Sequence, residues 1–438
     1  MSIDPDTLDE RLSVAVTQGI VSKGVAHRAV LATRLLDTLS ESGAARRPAI
    51  SGEALARTLG LSRAAVHKHV GHLRALGFAV DSVPGVGYRL ERSFADLVAA
   101  EAVLPFLLGV TRPPTAAMVG LPYLYLPRCG STNAGLREAM ASRGDAGERP
   151  GVGPASDPAA TGRQWTDRQW IGPLAAGALL VTDDQTGGRG RLGRVWWSEG
   201  ARDLTFSVLL RPSLAPAQAH LLSLAAALAV AEVLEALPGL VGPVAVKWPN
   251  DVLLGDDKVS GILLEGSIDA DSLHWAVAGI GLNVNSTPSA WVTGARPEDA
   301  EAWARRPRPV SLREHLGREV PRAPLLAALL ARLSNRWADL EDRGSPGPGN
   351  SSSSGPLDPG GAARATSLLA ALRQRDALVG LQVEVVAGLR QKEVVVSGEA
   401  VGIGSEGQLL VRAASGETVA VFSGDVTLRA VNPGPIPG

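Results

Sequence analysis

The chain has 438 residues, 45% of them hydrophobic, a formal net charge of -1 and a single cysteine, Cys129. That length supports two or three domains with cores of their own, and that apolar fraction excludes a chain disordered throughout. Near-zero net charge excludes a global attraction to nucleic acid or anionic membrane, one cysteine excludes an internal disulfide, and no Cys/His spacing fits a zinc site.

The opening residues, Met1 to Asp6, are polar and acidic where a secretory signal needs basic and then apolar residues. Together with the lone cysteine this predicts a reducing, cytoplasmic setting. Residues 1–26 show no clean period and are expected to be a tail or a short extra helix. From His27, apolar residues at Val30, Leu31, Leu35, Leu36 and Leu39 predict a helix closed by Ser42-Gly43. A second helix is predicted from Gly52 to Leu59. A third runs from Arg63 to Ala75, with Ser62 as its N-cap. Phe78-Ala79-Val80 and Gly87-Tyr88-Arg89-Leu90 flank a Pro84-Gly85 turn and predict a β-hairpin. Three helices followed by a hairpin is the order of a winged helix-turn-helix, expected over 27–92.

The third helix carries Arg63, His67, Lys68, His69, His72 and Arg74, with Arg46 and Arg47 nearby in sequence and Arg89 on the hairpin. Cations on a helix that enters the major groove neutralise phosphates, so Ser62, Arg63, His67, Lys68, His69 and Arg89 are the candidate DNA contacts. Three-helix modules also occur with no nucleic acid to read. A metal site is not expected, because His67 and His69 fall on different sides of a helix.

After a helical linker near Ser93 to Leu107, strands are expected at Tyr123–Leu126, Ala178–Thr182, Thr205–Leu210, Val244–Lys247, Gly261–Glu265 and His274–Val284. The apolar run Leu221 to Leu237 contains Glu232 and Glu235 and reads as a buried helix, not a membrane span. Gly, Pro, Asp and Arg dominate 141–173, a surface insert. The stretch 286–310 is similar, and 341–362 is a flexible linker. From 378 to 430, short apolar runs (Val383–Val386, Val394–Val396, Gly398–Ile403, Leu409–Arg412, Thr418–Phe422 and Val426–Leu428) predict a small β-barrel. The expected class is α+β, with a central catalytic domain over 98–340.

Two segments carry chemistry. Gln185 to Trp197 holds Arg189, Arg191 and Arg194 among glycines, so backbone N–H groups and guanidinium forks can both approach an anion. Gly188, Gly190 and Gly193 match G-x-G-x-x-G formally, as do Gly402, Gly404 and Gly407. Neither run opens a helix as a dinucleotide loop must, and Val195-Trp196-Trp197 reads as a strand. A solvated basic loop is the alternative. Lys247-Trp248-Pro249-Asn250-Asp251 reads equally as a strand end with a turn, or as a nucleotide site in which Asp251 holds magnesium and Lys258 lies close by. No H-E-x-x-H, G-x-S-x-G or Walker loop is present.

The ordered set of segments resembles one family, the bifunctional biotin protein ligases that are also biotin operon repressors. Carrying the resemblance are Leu59 to His69 with Val83 to Tyr88, Ser131-Thr132-Asn133, the Gln185 to Trp196 loop, Lys247 to Asp251, Lys258 with Gly261 to Glu265, and Gly279 to Asn285. It implies a mixed-sheet ligase domain of the biotin/lipoate type and an SH3-like barrel behind the winged helix. It also implies ATP-dependent formation of biotinyl-5′-adenylate with Mg2+, then transfer of biotin to a lysine of the biotin carboxyl carrier protein of acetyl-CoA carboxylase.

By position in the family's motifs, Ser131, Thr132, Asn133 and Gln185 hold the biotin head group, and Arg189-Gly190-Arg191 closes over biotin and adenylate. Lys258 reaches the biotinyl carbonyl and the phosphate, and Asn250 and Asp251 position ATP and the metal. Trp196 walls the adenylate, and Arg191, Lys247, Lys258 and Asp251 form the catalytic set. The resemblance further implies an adenylate-dependent homodimer on operator DNA and no membrane partner. Rival readings are a ligase without repressor activity, a lipoate ligase, and a biotin sensor without catalysis.

Overall fold

The computed structural model describes residues 4–39, 49–110, 119–141, 174–293, 307–341, 367–387 and 393–428. The expected insert 141–173 lies outside them except for residue 141, and the linker 341–362 except for residue 341. Arg46, Arg47 and the Ser42-Gly43 helix stop are outside as well. The chain divides into two compact units, Met1–Asp183 with Val320–Ala331, and Asp184–Glu319 with Arg332–Gly438.

In the first unit, α1 (Pro5–Thr17) occupies the segment expected to be a tail. Asp4 caps it by accepting from the Asp6 and Thr7 amides at 3.2 Å, and Leu8, Leu12 and Ala15 bury one face. Three apolar positions spaced four and three apart suffice for a stripe, so of the two expectations for this segment the short extra helix is the one that forms. Helix α2 (Lys23–Leu36) starts four residues ahead of expectation, capped by Ser22. Helices α3 (Gly52–Thr58) and α4 (Arg63–Ala75) follow, capped by Ser51 and Ser62 at 3.1 Å each. Strands β1 (Val80–Val83) and β2 (Gly87–Leu90) pair antiparallel as the wing.

The expected linker helix begins only at α5 (Ala100–Val110), since residues 93–99 form turns. Strand β3 (Tyr123–Cys129), helix α6 (Thr132–Ala141) and strand β4 (Leu179–Gln185) complete the order, β4 running on into the second unit. A buried polar network ties this unit together. Arg322, 2% exposed, bonds Asp96 at 3.1 Å and Asp183 at 3.0 Å, and Asp183 accepts from the Tyr125 hydroxyl at 2.5 Å. A guanidinium out of water needs this many acceptors to be tolerated.

In the second unit, β5 (Leu204–Leu210), β9 (Leu273–Leu282), β8 (Asp257–Ile268), β7 (Asp251–Leu254) and β6 (Val244–Lys247) lie side by side in that order, every pair antiparallel. Strand β7 was not expected, and Trp248-Pro249-Asn250 is the turn of the β6–β7 hairpin. Helix α7 (His220–Glu235) is apolar on nearly every side and is buried against β6, β7 and β8. With the turn before it, Pro216–Glu235 is long and apolar enough to cross a membrane by length and composition, and most of it is buried inside the fold.

Short helix α8 (Pro288–Thr293) lies within the expected insert 286–310, α9 (Leu312–Leu316) follows it, and residues 294–306 are outside the described set. In α10 (Arg322–Glu341), Arg336 pairs with Glu232 of α7. After α11 (residues 367–373) come β10 (Gln382–Ala387), β11 (Glu393–Ile403), β12 (Leu409–Ala413), β13 (Thr418–Val421) and β14 (Asp425–Leu428). They form one antiparallel sheet in the order β13-β12-β11-β10-β14. The two runs expected at 394–396 and 398–403 are a single strand.

Candidate functional site

The Gly/Arg loop closes on itself before it meets anything else. The Gly190 amide donates to Arg194 O at 2.7 Å and the Trp196 amide to Gly188 O at 3.0 Å. Arg191–Gly193 form one 3-10 turn in which Leu192 is left-handed, with φ 55°. No helix follows, as a dinucleotide loop would require. Val195-Trp196-Trp197, expected to be strand-like, contributes only an isolated bridge from Val195 to Arg189, so that expectation is corrected.

Three cations of this neighbourhood meet three consecutive residues at the start of β14. The Arg191 guanidinium donates to Gly424 O at 2.9 Å, both terminal nitrogens of Arg194 reach the Asp425 carboxylate, and Lys247 Nζ donates to Val426 O at 2.7 Å. Burial pulls both the Arg191 guanidinium and the Lys247 ammonium below their ordinary ranges, opposed by Asp251 and Asp425. Lys247 is 7% exposed and spent on the barrel carbonyl. In this structure its ammonium holds β14.

Asp251, first in β7, pairs with Lys258 at 2.7 Å. Burial raises the Asp251 carboxyl, but Lys258, Lys247 and Arg194 outweigh it and hold the group below the usual carboxylate range. Lys258 is fixed from behind by the end of the 286–310 segment: its amide donates to Arg308 O, and the Val310 amide to its carbonyl. Its Nζ lies 5.6 Å from the centroid of the Trp196 ring, within cation–π range. Below the indole are Gly261 and Gly281, cross-strand partners on β8 and β9. A Cβ on Gly281 would fall 2.3 Å from Trp196 Cε2, and one on Gly261 would fall 3.1 Å from Lys258 Nζ. Glycine is required at Gly281 because an aromatic ring lies where a side chain would start.

Asn250 is 9% exposed and its amide donates to Ile262 O at 2.8 Å, locking the hairpin turn to β8. Two residues were missed. Asp203, 3% exposed, accepts from the amides of Glu199, Val284 and Ser286 and shapes the turn after β9, while burial pushes its carboxyl up. Asn283 donates to Val310 O at 3.1 Å, yet its Oδ1 is buried without a partner among the described residues, as is Trp196 Nε1. Orphaned buried polar atoms in a native fold call for a ligand or water. Asn283 stands in the Gly279 to Asn285 motif, but nothing in sequence marks its oxygen as unpaired.

Among the expected site residues, the second unit thus brings together Arg191, Trp196, Lys247, Asp251 and Lys258. Gly190 shares their loop, Arg189 is exposed, and Gln185 is half-buried at the end of β4. In the first unit, Ser131 precedes α6 and its hydroxyl accepts from the Ala134 amide at 3.5 Å. Thr132 and Asn133 are buried at the helix start.

On α4, Ser62, Arg63, His67 and Lys68 are exposed, and His67 Nδ1 lies 3.2 Å from the Tyr88 hydroxyl of the wing. His69 turns inward: its ring meets His27 edge-on at 5.8 Å, and burial pushes its pKa down to about 4. Arg89 is paired with Asp81 at 2.9 Å, and Arg74 is committed to Val80 O and Ser82.

A winged helix-turn-helix, and a cation cluster around an aromatic-covered glycine floor on an antiparallel sheet, define a ligase-type domain joined to a DNA-binding module. Residues 163–283 match the Biotin/lipoate A/B protein ligase family and residues 34–89 an HTH domain. The chain is 36% identical to a biotin--[acetyl-CoA-carboxylase] ligase of Paracoccus denitrificans over 174 residues, 39% of this chain and 67% of that one. It is 28% identical to the bifunctional ligase/repressor BirA of Bacillus subtilis (strain 168) over 317 residues, 72% of this chain and 81% of that one. The solved biotin protein ligase from Aquifex aeolicus in complex with biotin and ATP is similar at 25% identity and a TM-score of 0.45, covering 70% of this chain and 97% of that one. The chain belongs to the biotin protein ligase family.

Proposed function

We propose that this chain is an ATP-dependent biotin protein ligase that is also a biotin-responsive repressor, working in the cytoplasm. The observation that carries the ligase reading is the convergence of Arg191, Lys258 and Asp251, from three separate segments, around the Trp196-covered floor. A carboxylate oxygen of biotin attacks the α-phosphorus of ATP, and the electrons of the broken P–O bond leave with pyrophosphate. Two anions must meet, so fixed positive charge lowers the barrier. Arg191 and Lys258 supply it, Asp251 aims Lys258, and Trp196 keeps water from the anhydride.

Asp251 provides a carboxylate beside Lys258, and one of its oxygens faces that ammonium. That donor set fits a magnesium ion taking most of its ligands from phosphates and water. Magnesium would supply charge neutralisation of the polyphosphate. Asn283 Oδ1 and Trp196 Nε1 are the free acceptor and donor for the adenylate. By position in the family's motifs, Ser131, Thr132 and Asn133 are the biotin residues of the first unit, and Gln185, Arg189 and Gly190 are those of the second.

The acceptor is a lysine of a biotin carboxyl carrier protein. The repressor reading rests on exposed Arg63, His67 and Lys68 along α4, and requires an adenylate-loaded homodimer on a two-fold operator. Incubation with biotin, ATP, magnesium and a biotin carrier domain is expected to add one biotin mass to the carrier, and lipoate in place of biotin is expected to add none. No mass gain with biotin overturns the ligase reading.

A further inference from the structure

Away from the Arg191 loop, the second unit holds another cavity, of about 310 Å³, between the end of α11 and the bulged stretch of β11. That volume is at the lower end for a small-molecule site. Its walls are aliphatic, from Val379, Val401, Ile403 and Leu410, and its charged groups are Arg373 and Asp376. Residues 375 to 377 run beside β6, with the Val246 amide donating to Arg375 O at 2.6 Å and the Ala377 amide to Val246 O at 3.1 Å. The central sheet therefore fixes Asp376. Its Oδ1 accepts from the Leu378 amide at 2.9 Å, while its Oδ2 is buried and has no hydrogen-bond partner among the described residues. A buried polar oxygen left unsatisfied is destabilising and calls for a partner.

Gly402 keeps the space beside that oxygen open: its φ is 131°, and a Cβ there would lie 3.8 Å from Asp376 Oδ2 and 3.4 Å from a Val379 methyl. Val379 is 54% exposed, so its side chain has room to turn aside. Arg373 enters from the end of α11. Its Nε donates to Ile403 O at 2.8 Å, and its terminal nitrogens have no partner among the described residues. The two charges are not paired with each other: burial pushes the Asp376 carboxyl up, only the Leu378 amide opposes it, and no cation among the described residues lowers it. Opposite charges held apart in one aliphatic cavity are complementary to a molecule that carries both an ammonium and a carboxylate. We propose that this cavity binds a free α-amino acid with an aliphatic side chain. The ammonium donates to Asp376 Oδ2 once Val379 turns aside, and the carboxylate accepts from the terminal nitrogens of Arg373. The side chain lies against Val401, Ile403 and Leu410. Bound in this way, the ligand gives the buried carboxyl the counter-charge it lacks.

None of these groups belongs to the adenylate site, so the proposal stands or falls apart from the ligase reading. Titration calorimetry of the full chain with L-leucine, in the absence of biotin and ATP, tests it. Saturable binding is expected. Isoamylamine, which lacks the carboxylate, and N-acetyl-L-leucine, which lacks the ammonium, are each expected to bind about tenfold more weakly or worse. Asp376→Asn keeps an acceptor for the Leu378 amide, and Arg373→Gln keeps a polar group of similar reach. Each is expected to lose about tenfold or more in leucine affinity, and a cooperative melt of the ligand-free variant shows that it is folded. Absence of saturable leucine binding to the parent overturns the proposal. Leucine affinity unchanged in either folded variant does the same, as does isoamylamine or N-acetyl-L-leucine binding as tightly as leucine.

Discussion

The indole of Trp196 lies over Gly281 so closely that a single added methyl would come within 2.3 Å of the ring. The contact fixes where the wall of the site stands. Gly281→Ala is expected to displace Trp196 and to destabilise the chain by about 1–3 kcal/mol, the usual penalty of overpacking. Urea denaturation reads the stability and pyrophosphate release reads the site. An unchanged midpoint with full activity would show that the indole moves aside at no penalty.

Asp425 holds Arg194 in a pair half-shielded from solvent, with side-chain exposures of 13% and 32%. Asp425→Ala is expected to lower stability by about 1 kcal/mol after allowance for screening. It is also expected to raise the KM for ATP more than it lowers kcat, because the loop loses its seat while the remaining cations stay. A kcat loss with unchanged KM would contradict this.

Arg191 closes the same loop onto Gly424 O and faces Asp251. Arg191→Ala is expected to weaken the hold on biotinyl-adenylate, so that intermediate escapes and labels lysines of a bystander protein such as albumin. Retention of the intermediate equal to that of the parent would remove Arg191 from the loop's grip.

His69 sets a pH dependence in the winged helix. Its pKa falls from an ordinary 6.5 to about 4 on folding, so between these values the unfolded chain binds the extra proton and the folded one does not. The contribution is therefore complete above about pH 6.5 and is lost as pH falls toward 4. His69→Phe is expected to flatten this part of the stability curve, followed by thermal melting of the whole chain at successive pH values. An identical slope in the variant would place the effect elsewhere.

Arg63→Ala and Lys68→Ala are each expected to reduce the slope of log affinity against log salt by about 1 on operator DNA, whereas His69→Phe leaves it unchanged. Fluorescence anisotropy over a salt series measures this directly. A slope untouched by either cation change would take α4 off the phosphate backbone.

Much of the helix order was legible because caps and apolar spacing are local. Ser62 caps the helix it was expected to precede. The inward turn of the His69 ring had a signal in the sequence, since it stands three residues after Val66 and four before Leu73, both buried. Strand β7 was hidden because Pro249-Asn250-Asp251 reads as a loop, and only pairing with Gly261 to Asp257 makes the following residues a strand. The hydrogen-bond partners of Asp203, Asn250 and Lys247 were not legible. Each is defined by a carbonyl or amide far along the chain, and side-chain chemistry alone does not reveal which partner a fold will supply.

The loop bearing Arg191 and Arg194 is anchored to residues more than two hundred positions further on, 233 for Arg191 to Gly424 and 231 for Arg194 to Asp425. During synthesis every side chain proposed to touch biotin or ATP leaves the ribosome before that anchor exists. A nascent or prematurely terminated chain would thus carry the complete set of ligand-binding residues with an unfastened loop, and maturation of the enzyme waits on its final strand.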